Sequence, residues 1–130
     1  MDRSTSEMLS RQYFQSWLQQ DLNLFLSTLS PTIRVMECYG PVYDGIAEAE
    51  RWFSHWHTRP EKGRVTRWDI GLLVYDQSQQ VAAVEWDFEC IYDGAVGSFL
   101  GASLFGFEGT KIASIREYKM DKKQHRPYQR

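Results

Sequence analysis

The sequence predicts a single α+β domain, with helices in most of the N-terminal half and strands in the C-terminal half, in the order ααβαββββ. Two observations predict this class. Apolar residues recur at helical spacing in three segments before residue 58, and they alternate with polar residues in four segments after residue 64. No repeat, linker or low-complexity stretch divides the 130 residues, which suffice for one hydrophobic core.

The first two helices are predicted from their caps and apolar faces. Ser4 followed by Glu7 is a capping-box pattern, so a helix is expected to begin there. Its apolar face consists of residues at helical spacing: Tyr13, Phe14, Trp17 and Leu18. Asp21 is a suitable N-cap for a second helix, which is expected to end before Pro31. The apolar positions of that helix are Leu22, Phe25, Leu26 and Leu29.

A strand and a third helix follow. Residues 32–39 are predicted to form a strand with Ile33, Val35, Glu37 and Tyr39 on one face, and Arg34, Met36 and Cys38 on the other. Residues 40–45 predict a turn-rich connection. A helix over residues 46–58 would bury Ala49, Trp52, Phe53 and Trp56, and residues 59–63 would end it.

Four strands in an antiparallel meander complete the domain, at residues 64–75, 81–92, 98–108 and 111–120. Asp93-Gly94 predicts a tight hairpin, since glycine accepts the positive φ that the turn needs. The second of these strands alternates clearly. Its acids Glu85, Asp87 and Glu89 are expected to face water, while Ala82, Val84, Trp86, Phe88, Cys90 and Tyr92 face the core or a cavity.

Composition excludes several classes of function. The net charge of −2 and the absence of a basic stripe argue against nucleic-acid binding, and the basic residues at 121–130 predict a solvated tail. No apolar run is long enough to span a membrane and the N-terminus does not open a signal peptide, so a cytoplasmic location is expected. His55 and His57 diverge on a helix, so neither a metal site nor a cofactor is predicted.

Five Trp, seven Tyr and seven Phe are more aromatic residues than a small core needs for packing. Aromatic side chains serve both cores and ligand pockets, and the sequence leaves both interpretations open.

These elements together resemble the cone-shaped nuclear transport factor 2-like superfamily, which includes ketosteroid isomerases, scytalone dehydratase and SnoaL-like polyketide cyclases. The resemblance covers residues 7–120, and a single domain is predicted over residues 1–130. Its motifs are Tyr13-Phe14-x-x-Trp17 before Asp21, Val35-Met36-Glu37, Asp44-Gly45, Val84-Glu85-Trp86-x-Phe88, Ser103-Leu104-Phe105-x-Phe107 and Lys111-Ile112. The resemblance implies that a curved sheet wraps the helices and encloses a pocket.

Compared with ketosteroid isomerases, the chain has Glu37 at the position of the general base and Tyr13 at that of the oxyanion donor. The second donor of that family, a protonated aspartate, falls at Ser103, whose hydroxyl is the weaker donor. The resemblance further implies a pocket wall of Trp52, Trp68, Trp86, Phe88, Phe99 and Phe105, which Trp56 would join from the same helix face as Trp52. Glu117 would point inward from the last strand, although the alternation of that strand is ambiguous.

Two interpretations of Glu37 make opposite predictions. A general base in a dry pocket would have a raised pKa, whereas a structural acceptor held by several donors would have a depressed one. Tyr13 is likewise either an oxyanion donor or a core ring. The predicted function is therefore binding of a small apolar, carbonyl-bearing ligand, with cofactor-free proton transfer by an isomerase, dehydratase or cyclase. The alternative is a non-catalytic ligand-binding or dimerising module.

Two further predictions concern assembly and the cysteines. Residues 98–108 are apolar on both faces, and because the helices cover only one, a homodimer through the outer sheet face is expected. Cys38 and Cys90 are predicted to point to different sides of the sheet, so they should remain reduced and unbridged.

Overall fold

The computed structural model describes residues 1–58 and 62–129. Three helices and six strands follow each other along the chain: α1 (Arg3–Gln19), α2 (Leu22–Ser27), β1 (Leu29–Met36), β2 (Val42–Asp44), α3 (Gly45–Trp56), β3 (Gly63–Asp76), β4 (Val81–Tyr92), β5 (Ala95–Glu108) and β6 (Lys111–Met120). The α+β class and the cone-shaped arrangement of helices against a curved, unclosed sheet are confirmed. The predicted break at residues 59–63 lies mostly outside the described residues, since 59–61 are not among them.

Helix α1 begins earlier than its capping-box pattern indicates. The carboxylate of Asp2, not Ser4, is the N-cap, and it accepts a hydrogen bond of 2.8 Å from the backbone N–H of Thr5. Ser4 therefore lies inside the helix. An aspartate provides the same acceptor as a serine and adds a negative charge at the positive end of the helix dipole.

Helix α2 is capped by Asp21 as predicted, at 3.0 Å from the backbone N–H of Leu24. It ends at Ser27, however, and not at Pro31. The carbonyl of Thr28 accepts a hydrogen bond of 2.8 Å from the N–H of Ile112, and Leu29 pairs with the same residue of β6. Pairing with β6 therefore starts the strand before the proline is reached.

Strand β1 is shorter at its C-terminal end than predicted, and a further strand follows it. The chain leaves the sheet after Met36, and residues 37–40 form a turn in which the N–H of Gly40 donates to the carbonyl of Glu37 at 3.0 Å. Strand β2, in the segment predicted as a connection, then pairs antiparallel with β1. Because the alternation stops at Met36, the prediction that Cys38 faces away from Glu37 is wrong.

The sheet has the strand order β2-β1-β6-β5-β4-β3. Strands β3 to β6 form the predicted antiparallel meander, but β1 and β6 pair in parallel, so the sheet is mixed. The bounds of β4 and β6 agree with the prediction. In the hairpin between β4 and β5, Asp93 and Gly94 have φ angles of 49° and 80°, as the turn requires.

The helices cover one face of the sheet, and the core lies between them. The inward positions of β4 from Ala82 to Cys90 are buried, as the alternation predicts. The acids of β4 lie on the outer face, where Asp87 pairs with Arg67 at 3.2 Å and with Lys122 of the exposed tail at 2.8 Å. Cys38 and Cys90 are both free. Within the described part of the chain, no helix has the length and apolarity to cross a membrane.

Candidate functional site

A small cavity lies between the helices and the inner face of the sheet. Its volume is about 30 Å³. Strands and helices both contribute to its wall, which consists of Trp17, Glu37, Cys38, Tyr39, Trp52, Trp56, Val65, Trp68, Trp86, Phe88, Phe99 and Glu117. We call this space the inner cavity. Seven of its twelve lining residues are Trp or Phe, and among the described residues only Glu37 and Glu117 contribute carboxyl groups to it.

Glu37 directly follows β1, and Glu117 lies in β6, the strand that pairs in parallel with β1. Met36, the last residue of β1, lies opposite Arg116, so the next residue of each segment, Glu37 and Glu117, lines the same cavity. The inward direction of Glu117 results from a β-bulge. Phe107 pairs with Ile112 and Gly106 with Ser114, which leaves Ala113 as an extra residue on β6. This bulge explains why the sequence alternation of that strand is ambiguous.

Burial of the Glu37 carboxyl group raises its pKa, and hydrogen bonding partly offsets the effect. The hydroxyl of Tyr43 donates to Glu37 Oε1 at 3.0 Å. The Tyr43 ring stacks on Trp52 with centroids 4.7 Å apart and planes at 15°. The direction of the pKa shift is the one expected for a base in a dry pocket. The sequence analysis missed Tyr43, because its contact with Glu37 depends on strand β2.

The pKa of Glu117 is raised to about 8. Burial is the largest cause and the nearby charge of Glu37 the second, while the backbone N–H of Cys38 partly offsets them. Burial also raises the pKa of the Cys38 thiol to about 12, so this thiol is neutral at physiological pH. The inner cavity therefore contains two carboxyl groups whose pKa values are both raised by burial and that repel each other when both are ionised.

Tyr13, Ser103 and Phe105 lie in the core and do not line the inner cavity. Tyr13 packs against Phe105 at 5.5 Å, and burial followed by the charge of Glu117 raises the pKa of its hydroxyl well above the usual value. The Ser103 hydroxyl accepts a hydrogen bond of 2.9 Å from Trp86 Nε1, and Ser103 lies opposite Glu117 in the sheet register. Both residues are therefore near Glu117 without lining the inner cavity.

The other wall residues named from the sequence do line the inner cavity: Trp52, Trp56, Trp68, Trp86, Phe88 and Phe99. Trp17, Cys38, Tyr39 and Val65 also line it and were not named. The helical spacing of Trp17 from Tyr13 was the available signal for the first of these, but it indicates a core position equally well.

An outer groove of about 500 Å³ adjoins the inner cavity. The two spaces share Glu37, Tyr39, Trp52 and Trp56 as lining residues. Tyr43, His55, Cys90 and Tyr92 are among the further residues of the groove. Glu37 therefore stands where the narrow cavity meets the wider groove.

Several buried donors near the inner cavity have no hydrogen-bond partner. They are the hydroxyl of Tyr13 and the indole N–H groups of Trp17, Trp52 and Trp68. The N–H of Trp17 lies near the Tyr13 hydroxyl, and that of Trp52 near the Glu37 carboxylate, but neither pair has the geometry of a hydrogen bond. Buried donors are rarely left without an acceptor, and three of these four, the indoles of Trp17, Trp52 and Trp68, belong to residues that line the inner cavity.

A sequence profile of the SnoaL-like domain matches residues 10–115 of the chain. This match confirms the resemblance to the nuclear transport factor 2-like superfamily. No curated protein sequence matches the chain significantly.

Solved structures share the fold at low sequence identity. A candidate polyketide cyclase from Pseudomonas putida KT2440 is 19% identical, with 85% of this chain and 87% of that chain covered and a TM-score of 0.72. An M. tuberculosis LEH-like epoxide hydrolase is 10% identical, with coverages of 90% and 84% and a TM-score of 0.78. A protein with a ketosteroid isomerase-like fold from Catenulispora acidiphila DSM 44928, in complex with trimethylamine, is 14% identical, with coverages of 85% and 83% and a TM-score of 0.71. At these identities the comparison establishes the fold alone.

Proposed function

The chain belongs to the SnoaL-like domain family, and from this premise we propose that it binds a small apolar molecule with a carbonyl group and moves a proton on it. The observation that carries the proposal is that Glu37 and Glu117 line the same small cavity, close enough for their charges to interact, in an otherwise largely aromatic wall. Two carboxyl groups in a dry site can perform acid–base chemistry themselves, one as base and one as acid.

The environments of the two carboxyl groups assign their roles. A pKa of about 8 keeps Glu117 protonated near neutral pH. Glu37 receives the Tyr43 hydrogen bond, which favours its ionised form, so it is the member of the pair that carries the charge. In the proposed reaction Glu37 removes a proton from the carbon next to the carbonyl, and Glu117 donates a hydrogen bond to the carbonyl oxygen as it gains charge.

The sizes of the two spaces support one mode of binding for such a ligand. A volume of about 30 Å³ accommodates about one water-sized group. The outer groove, at about 500 Å³, is large enough for a bicyclic ring. The ligand is therefore expected to place its rings in the groove and its carbonyl group at the inner cavity, beside Glu37.

Exchange of α-protons in D₂O tests this proposal without knowledge of the natural substrate. The probe is 2-tetralone, a flat aromatic ketone, and proton NMR measures the loss of its α-proton signals. We expect the protein to accelerate exchange over buffer. Glu37→Gln should reduce the acceleration by about 100-fold or more, as is usual when a general base is lost. Glu117→Gln should have a smaller effect, because an amide still donates a hydrogen bond.

Glu85→Gln is the matched control, since Glu85 is exposed on the outer face of β4. This variant should retain the wild-type exchange rate. Exchange no faster than in buffer, or an acceleration that survives in Glu37→Gln, would contradict the proton-transfer proposal.

A second candidate function is non-catalytic binding, and the small volume of the inner cavity favours it. A module of this kind would bind 2-tetralone, with a change in tryptophan fluorescence, but would not accelerate its exchange. A fluorescence titration with 2-tetralone, carried out beside the exchange assay, therefore separates the two candidates.

A further inference from the structure

Three indole N–H groups near the inner cavity lack an acceptor, and their surroundings differ. Trp17, Trp52 and Trp68 retain 2%, 7% and 7% of their surface. The N–H of Trp17 has the Tyr13 hydroxyl nearby, and that of Trp52 has the Glu37 carboxylate. The Trp68 ring packs against Phe14 at 4.6 Å, Phe88 at 4.9 Å and Tyr13 at 6.3 Å, and among the described residues its N–H has no hydrogen-bond acceptor.

A buried donor without an acceptor destabilises the folded protein, because it has lost its hydrogen bond to water and gained none in return. The rings around Trp68 are mostly apolar and do not supply an acceptor. Trp68 lines the inner cavity, so an acceptor for its N–H would come from a molecule that enters this cavity. At about 30 Å³ the cavity has room for one oxygen atom of a water molecule or of a ligand. The indole N–H of Trp68 can therefore form a hydrogen bond with one small acceptor in the inner cavity.

The charge of the wall restricts the kind of acceptor. Glu37 and Glu117 line the same cavity, and within the described residues its lining includes no Lys or Arg. A carboxylate or phosphate placed there would be repelled by an ionised Glu37 without a compensating cation. An uncharged oxygen meets no such repulsion.

We propose that the indole N–H of Trp68 is a second donor to the ligand's carbonyl oxygen, beside Glu117, and that it thereby selects uncharged ketones over hydrocarbons and over carboxylic acids of the same shape. This inference rests on the proposed function and identifies the residue that recognises the oxygen. It differs from the assignment suggested by the family resemblance, in which Tyr13 and Ser103 would supply the donors.

The test is a ¹⁵N–¹H NMR titration of the five indole N–H signals of the wild-type protein. The probes are 2-tetralone, tetralin and 2-tetralincarboxylate, which share one ring system. We expect the Trp68 indole proton to move downfield with the ketone and not with tetralin, whose shifts report ring currents alone. The Trp86 signal is an internal control, because that N–H already donates to Ser103 at 2.9 Å. Single Trp→Phe variants assign the signals, by elimination if one variant does not fold.

Affinity gives a second, independent measure. One hydrogen bond should make the ketone bind about 2- to 10-fold more tightly than tetralin, and Trp68→Phe should abolish this ratio. Trp86→Phe should weaken both probes to the same extent and leave the ratio unchanged. The ratio of ketone affinity to tetralin affinity is measured within each variant. A general loss of stability weakens both affinities and therefore does not produce the expected change in this ratio.

The outcomes separate this inference from the proposed function. If ketone and tetralin bind equally and shift Trp68 equally, binding stands and the role of Trp68 is overturned. If the carboxylate binds more tightly than the ketone, selection for an uncharged oxygen is wrong. If no probe shifts any indole signal, both the proposed function and this inference fail.

Discussion

Replacement of Glu117 by glutamine should stabilise the protein increasingly as the pH rises. The native state holds the Glu117 proton up to a pKa of about 8, whereas in the unfolded chain the group ionises near its ordinary value of 4.5. Between these values the unfolded state releases a proton that the native state retains, so native stability falls with rising pH. At about 1.4 kcal/mol per pKa unit, and with a discount for partial exposure, the loss by pH 8 is roughly 3 to 4 kcal/mol.

Glutamine resembles the protonated acid and does not titrate, so Glu117→Gln should lack this loss. Urea unfolding followed by tryptophan fluorescence, from about pH 4.5 to about pH 8, measures the difference in the free energy of unfolding between variant and wild type. That difference should grow in favour of the variant by roughly 3 to 4 kcal/mol across the range. Glu85→Gln, at an exposed position, should follow the wild type. A difference that does not change with pH would show that Glu117 is ionised in the native protein, and would refute the acid role proposed for it.

Three further predictions concern the donor to the base, the packing of the sheet and assembly. Tyr43→Phe removes the hydrogen bond to Glu37 but keeps the aromatic ring, so carbon-detected NMR should find the Glu37 pKa raised further, and an unchanged pKa would contradict the assignment. Gly101→Ala adds a Cβ that overlaps an indole ring of β4 and a carbonyl of β6, so it should cost roughly 1–3 kcal/mol in urea unfolding, whereas Gly71→Ala, whose Cβ would meet only the Glu85 carbonyl oxygen at an ordinary contact distance of 3.6 Å, should cost less. Light scattering at micromolar concentration should find a homodimer that Leu104→Lys on the outer face of β5 disrupts, and a wild-type monomer would contradict the predicted interface.

The features that the sequence predicts well are those with local causes. The alternation of β4 depends only on side chains pointing to opposite sides of a pleat. The Asp93-Gly94 hairpin depends on which residues tolerate a positive φ. Asp21 caps α2 through a hydrogen bond to a residue three positions away. Contacts this short in sequence leave a signature that can be read without the rest of the chain.

The features that the sequence does not predict depend on partners far away in the chain. Strand β2 has only three residues and forms because β1 pairs with it, and α2 ends at Ser27 because β6, over 80 residues later, binds the following strand. The inward direction of Glu117 depends on the bulge at Ala113, which is visible only in the pairing of β6 with β5. No local periodicity encodes a strand register of this kind.

The same distinction between local causes and distant partners applies to the candidate site. Glu37 and most of the aromatic wall could be named from their motifs and strand faces, because each position follows from its own element. The pairing of Glu37 with Glu117, the hydroxyl of Tyr43 and the unpaired indole of Trp68 arise only when four separate strands converge. The sequence by itself therefore determined the fold and the aromatic composition of the site. Tertiary structure decided which charges and donors meet there, because those contacts depend on strand pairing over long distances and on how closely the rings pack.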